Sequence, residues 1–251
     1  MDTIRVEHLN KSFTTSTPTS IVVGQPRDVR THQVLRDLNV EFPINQLTAI
    51  VGRSGCGKST LLKIMDKQEA ADSGEIILPE GWHTSMLSPN PYVITWTNLL
   101  NNVAMAGGAG RTPEERNELA ERLIKLVRLD QHAHLTPMEL STGMKQRLGL
   151  ARVLASRSEV LLMDEPFASM DFITRGELQQ EVLTIQEQMP RTIILVTHQL
   201  EEALLMAQKI IVMHADSTIR EFDLSGYAYP RDLMSPEMLA LREEVTEECR
   251  K

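Results

Sequence analysis

Residues 46–62 read QLTAIVGRSGCGKSTLL, and this run constrains the fold more than any other part of the chain. Leu47 to Val51 is short and apolar, the pattern of a strand buried on both faces of a parallel sheet. Leu61, Leu62 and Met65 then recur at helical spacing. Between them, Gly52 to Ser59 fits G-x-x-x-x-G-K-[ST] in the strand-then-helix setting that the pattern requires. The glycines let backbone N–H groups wrap phosphates, and a helix start adds its own free N–H groups. Lys58 supplies a point charge for the β- and γ-phosphates, and the Ser59 hydroxyl can reach Mg²⁺.

The rest of the chain extends this unit. TIRVEHLNKSF alternates Ile4, Val6 and His8 against polar partners and predicts a half-buried strand. The Thr/Ser/Pro-rich stretch 14–33 predicts a long loop or exposed hairpin, and VLRDLNVEFP a further strand. VLLMDEP and TIILVTHQ are buried strands, separated by a helix over TRGELQQEVLTIQEQM. From about residue 86 to 150 the chain turns helical, as in TPEERNELAERLIKLVRL. An α/β core over 1–85 and 151–251, with a mostly α subdomain over 86–150, follows. With 251 residues and 41% hydrophobic content, the chain can bury one substantial core.

The formal charge of −8 argues against a partner bound by neutralising phosphates over a broad face, so no nucleic acid is expected. Cys56 and Cys249 are no disulfide framework and fit a reducing cytosol. The polar opening MDTIRVEHLN predicts no signal peptide, and no stretch approaches eighteen apolar residues. Any membrane-spanning part must then lie on other chains.

Two carboxylates, Asp164 and Glu165, end the VLLMD strand. Beside a phosphate cradle, Asp164 is the candidate Mg²⁺ ligand together with Ser59. Glu165 can polarise an attacking water as general base. His198 ends the TIILVTH strand, where ligands of open α/β sheets bind, and could donate to a γ-phosphate. LSTGMKQR, residues 140–147, reads as a second helix start, with Ser141 as N-cap and Gly143 just inside. A helix start is a seat for a phosphate, yet the chain already has one.

In order, GRSGCGKS, LSTGMKQR, VLLMDEP, SMD and ILVTH resemble the nucleotide-binding subunit of an ATP-binding cassette (ABC) transporter, over nearly the whole chain. The resemblance implies a P-loop NTPase (RecA-like) core with an antiparallel β subdomain and an inserted helical subdomain. It implies ATP and Mg²⁺ as ligands and ATP hydrolysis as the activity, with Glu165, His198 and Lys58 catalytic. Gly52, Arg53, Ser54, Gly55, Cys56, Gly57, Lys58, Ser59 and Thr60 would hold the phosphates, and Phe13 would stack on adenine. Ser141, Thr142 and Gly143 would meet the γ-phosphate held by a second copy, in a head-to-tail homodimer. Asp171, in ASMD, matches the loop linking the two sites.

The signature LSTGM has Thr142 where the family usually has glycine. A glutamine that the family places ahead of its LLPW-like segment, where the transmembrane subunit docks, is replaced by Ser88 or Pro89 in SMLSPNPYVITW. The tail YPRDLMSPEMLALREEV resembles those of nitrate, sulfonate, taurine and bicarbonate importer subunits, with Met238, Leu241 and Val245 on one helical face. The resemblance therefore implies a cytoplasmic subunit, peripheral on the inner face of the cell membrane. It would work with permease subunits and, through the complex, a solute-binding protein. Two rivals are an ATP-binding regulatory cassette with weakened transport coupling and a soluble ABC protein of translation or repair. The second would carry two cassettes or a long coiled coil.

Overall fold

Three runs of five residues, Leu47–Val51 (β3), Val160–Asp164 (β6) and Thr192–Val196 (β7), are buried at every position. Such runs suit only strands covered on both faces. The computed structural model describes residues 3–18, 27–108, 110–168, 170–188 and 190–251. Its other strands are β1 (Thr3–Pro18), β2 (Arg27–Pro43), β4 (Ser73–Ile77), β5 (Thr84–Leu87), β8 (Lys209–Met213) and β9 (Ile219–Asp223). The helices are α1 (Lys58–Met65), α2 (Leu99–Ala106), α3 (Pro113–Leu126), α4 (Thr142–Ala155), α5 (Phe172–Gln188), α6 (Leu200–Met206) and α7 (Pro236–Arg250).

Six strands form one sheet in the order β5-β6-β7-β3-β8-β9, parallel except where β9 runs antiparallel to β8. Asp164 pairs with Val196, and Ile50 with that same Val196, so β6, β7 and β3 end side by side. The chain leaves each of them at one edge of the sheet, where such sheets bind ligands. The order of the strands, not their spacing in sequence, brings residues 52, 165 and 198 together.

A second, antiparallel sheet has the order β2-β1-β4. The arms β1 and β2 stay paired as far as Pro18 and Arg27, so the described part of the Thr/Ser-rich stretch is hairpin rather than loop, while residues 19–26 lie outside the described residues. The alternation expected for β1 holds for the buried Ile4 and Val6 and then fails. His8 has φ 51° and is exposed, and the register shifts between Val6 and Leu9, which brings Leu9 into the core instead. A bulge adds one residue and so flips the faces beyond it.

Helices α2 to α4 pack Leu99, Val103, Ala120, Leu123 and Leu148 into the same apolar cluster as Leu161 and Leu195 of the sheet. α3 opens with a capping box, in which Thr112 accepts from Glu115 N and Glu115 accepts from Thr112 N, followed by Pro113. The boundaries expected at 85/86 and 150/151 fall within β5 and α4. At the other end, α7 buries Met238 and Val245 with Leu241 packed beside them, the face expected of the tail. No helix among the described residues is long and apolar enough to cross a membrane.

Leu195 is fully buried in β7, between Ala49 and Met163 on the neighbouring strands. Leu195→Ala is expected to cost about 2–5 kcal/mol of folding free energy by lost transfer and a residual cavity. Urea denaturation checks this, and a loss below about 1 kcal/mol would place Leu195 outside the well-packed core.

Candidate functional site

The turn after β3 is built on glycines because side chains do not fit. A Cβ at Gly52 would lie 2.2 Å from the Met213 carbonyl oxygen, and one at Gly57, at φ 103°, 2.6 Å from Leu35. Gly57 is the N-cap of α1, so the first helical residues follow the glycine turn directly. Lys58, only 7% exposed, donates from Nζ to the Gly52 and Arg53 carbonyls at 2.8 and 2.9 Å. The ammonium is thus held over the turn by carbonyls from the near side. The third donor of the ammonium rests against Cys56 Sγ at 3.6 Å, a weak bond that an anion's oxygen would replace.

Ser59 donates from Oγ to Asp164 Oδ1 at 2.9 Å, joining α1 to the end of β6. Burial, and next the neighbouring Glu165 charge, push the Asp164 carboxyl above the usual carboxylate range, against the Ser59 hydrogen bond. Glu165 follows at φ 50°, with its N–H bonded to the Val196 carbonyl at 2.9 Å. This left-handed turn ends the strand and swings Glu165 away from the core into a cleft. His198 Nδ1 lies 2.9 Å from Glu165 Oε2. Two residues read separately in the sequence are therefore a bonded pair.

Behind this pair stands a buried layer that the motifs did not reveal. Thr197 donates to Glu202 Oε2 at 2.6 Å and accepts from Gln199 N at 3.0 Å. Burial raises the Glu202 carboxyl above its ordinary value. Arg175 donates to Gln199 Oε1 at 2.5 Å and to the Met170 carbonyl at 3.0 Å, tying the segment before Asp171 to the turn that carries His198. The sequence signal was an arginine four residues after Asp171 in a helix, a pattern too common to single out.

The cleft has a volume of about 630 Å³, and Gly52, Ser54, Gly55, Gly57, Lys58, Ser59, Thr60, Glu165 and His198 line it. His32 and Val34, absent from the sequence reading, close its other side. They come from β2, where His32 pairs directly with Phe13. Phe13 is 38% exposed beside the Lys11 ammonium, 5.0 Å from the ring centroid, so it is no core residue. Phe13 itself does not line the cleft.

Ser141 caps α4 as expected, accepting from Met144 N at 3.3 Å, and Ser141 and Thr142 are exposed. Neither they nor Gly143 line the cleft. Asp171 caps α5, accepting from Thr174 N at 3.0 Å, a backbone bond that holds its carboxyl below the usual range. It too stands apart from the cleft and is exposed. One chain thus presents a glycine turn with Lys58 beside a bonded Glu165–His198 pair and, elsewhere, a capped helix start.

Ser88 follows β5 directly, and its hydroxyl is engaged by the Asn90 carbonyl at 2.7 Å. The loop rests on α4: a Cβ at Gly149 would meet Pro91 at 2.3 Å, and Gln146 donates to the Ser88 carbonyl at 3.5 Å. Beyond it, Tyr92 and Trp96 are each 83% exposed.

The ABC transporter family model matches residues 35–168. The nitrate import ATP-binding protein of Synechococcus elongatus is 35% identical over 71% of this chain and 69% of its own. The aliphatic sulfonates import ATP-binding protein of Shouchella clausii is 33% identical over 88% of this chain and 87% of its own. The solved dimeric structure of a bacterial ABC transporter cassette superposes with a TM-score of 0.74 at 23% identity, covering 89% of this chain and all of that one, a likeness of fold.

Proposed function

The chain belongs to the ABC transporter family, and from that premise we propose that it is the ATP-hydrolysing subunit of an importer for a small anion. Nitrate, sulfonates, taurine and bicarbonate are the solutes for which its relatives are named. The observation that carries the ATPase reading is the convergence in one cleft of Lys58, Ser59, Glu165 and His198, from three strand ends and a helix.

In this reading the turn from Gly52 to Thr60 holds the phosphates by backbone N–H groups and by the Lys58 donor that now makes only the weak bond to Cys56 Sγ. Ser59 and Asp164 fit a Mg²⁺: both offer hard oxygen donors, 2.9 Å apart, and the buried carboxylate is costly without a cation. When bound, Mg²⁺ supplies charge neutralisation at the phosphates. Glu165 takes a proton from the attacking water, while His198, with its proton on Nδ1, donates to Glu165 Oε2 and holds the carboxylate in place. Phe13, beside His32 at the mouth, stacks on the base.

Ser141, Thr142 and Gly143 complete the site of a second copy, which explains why they are exposed and apart from their own cradle. Two copies pair head to tail, and Asp171 lies on the segment between the sites. The dimer works on permease subunits at the inner face of the cell membrane, fed by a solute-binding protein. Phosphate release from Mg-ATP, measured with the chain alone and with its permease in vesicles, tests the reading. Absence of hydrolysis in both would reject it.

A second reading, a cassette whose coupling to the permease is weakened, is favoured by Ser88 and Pro89 at the glutamine position. The Ser88 hydroxyl is short and already engaged by the Asn90 carbonyl. We expect slow basal hydrolysis that changes little on adding the permease, and a gain in stimulation on replacing Ser88 or Pro89 with Gln. If Asn90 serves instead, Asn90→Ala abolishes the stimulation. Strong stimulation that survives that truncation would remove the weakened-coupling reading.

A further inference from the structure

Far from the nucleotide cleft, α3, the end of α4 and the end of α5 enclose a cavity of about 150 Å³. Its floor is apolar, with Leu119, Leu123 and Ile185, and three arginines face it: Arg111, Arg122 and Arg191. Arg111 and Arg122 also line an adjoining shallow groove, which adds Arg157 and two carboxylates, Glu115 and Glu118. In a chain with 34 acidic against 26 basic residues, arginines find carboxylates easily. Among the described residues, however, no carboxylate lies within 4.0 Å of any of these four guanidinium groups.

A simpler account is that the arginines cap helix ends. Arg111 donates from Nη1 to the Gly107 and Ala155 carbonyls, and Arg191 from Nη1 to those of Leu154 and Ser156. That uses one nitrogen of each guanidinium, which carries five N–H donors in all. It also leaves Arg122 unexplained, since its side chain makes no hydrogen bond or ion pair among the described residues. Burial, then the Arg157 charge, depress Arg111 below its ordinary value against the opposing Glu115 charge, and burial with Arg111 does the same to Arg191 against that of Glu159. Like charges are thus gathered at a cost that an anion would offset. One carboxylate, Glu181, lines the cavity against the three arginines.

We propose that this cavity binds a small oxyanion with a short apolar end, its charged oxygens on Arg111, Arg122 and Arg191 and its tail on Leu119, Leu123 and Ile185. Planar guanidinium forks match carboxylate and sulfonate oxygens. At a water's share of about 30 Å³, the volume holds roughly five small groups, which suits a two-carbon sulfonate or carboxylate.

Calorimetric titration of the full chain with sodium ethanesulfonate, in a chloride buffer, tests this. One saturable site is expected, with ethanol giving none. Arg122→Gln, at an exposed residue with no bonds to lose, is expected to weaken binding by about tenfold. Thr184→Glu, which sets a negative charge on the same rim, is expected to abolish it. Lys58→Ala is expected to leave it unchanged, because the phosphate cradle is a separate site. The proposal is overturned by an absence of saturable binding, by binding that neither rim substitution alters, by an equal signal from ethanol, or by loss of binding in Lys58→Ala.

Discussion

Glu165→Gln is expected to lower ATP hydrolysis by about 10²-fold or more, the range of a positioned general base. The amide keeps the size of the side chain and can still meet His198, 2.9 Å away, but it cannot take the water's proton. Nucleotide binding should persist, because Lys58, Ser59 and Asp164, the proposed holders of the phosphates and the cation, keep their places without Glu165. ATP is then expected to trap a closed dimer that elutes early in size-exclusion chromatography. Turnover in the variant equal to that of the unaltered chain would remove Glu165 from the role. His198→Gln gives a graded comparison: a positioning partner that still offers an N–H should cost less than loss of the base.

Mixing Lys58→Ala chains with Ser141→Arg chains is expected to restore hydrolysis that neither variant has alone. In a head-to-tail pair, one composite site then combines an unaltered Lys58 with an unaltered Ser141, while the other carries both changes. Random pairing makes half of the dimers mixed, and each holds one good site. Recovery of up to about a quarter of the unaltered activity follows for a symmetric dimer. The geometry motivating this is that Lys58 lines the cleft while Ser141 and Asp171 stand outside it in the same chain. If Ser141 served its own cradle, every chain in the mixture would be defective, so silence in the mixture equal to that of each variant would rule out action across the dimer. A Ser141→Ala chain extends the test. It loses the cap on α4, worth about 1 kcal/mol, and separates helix fraying from the bulk that arginine adds at the interface.

Much of the site was legible because its chemistry is local. The glycines from Gly52 to Gly57, Lys58 and Ser59 lie in one continuous turn, and a turn that must wrap an anion admits few residue types. The buried strands β3, β6 and β7 were legible for a related reason, since a strand covered on both faces must be apolar throughout. Of the strands with a wet face, β1 and β2 were legible from their alternation, and the shorter ones were not. The elements β4 and β9 carry charged residues such as Glu75 and Glu221 at exposed positions, which mask the period. The bulge at His8 was hidden because φ 51° there is required by pairing with two neighbouring strands, not by the residue itself.

By itself, then, the sequence determined the glycine turn after β3, the order of the buried strands along the chain, and the identity of Asp164, Glu165, His198 and Ser141 as reactive candidates. Each depends on neighbours within a few residues, where backbone geometry is set by the side chains present. Only the tertiary structure decided which of them meet. Setting β7 between β6 and β3 brings Glu165 against His198, and setting α1 beside β6 brings Ser59 onto Asp164. His32 and Val34 joined the cleft through β2, and Arg111, Arg122 and Arg191 converged from segments up to 80 positions apart. Sheet order and helix packing follow from burying apolar faces against one another across the whole chain, a condition that no local window of residues contains.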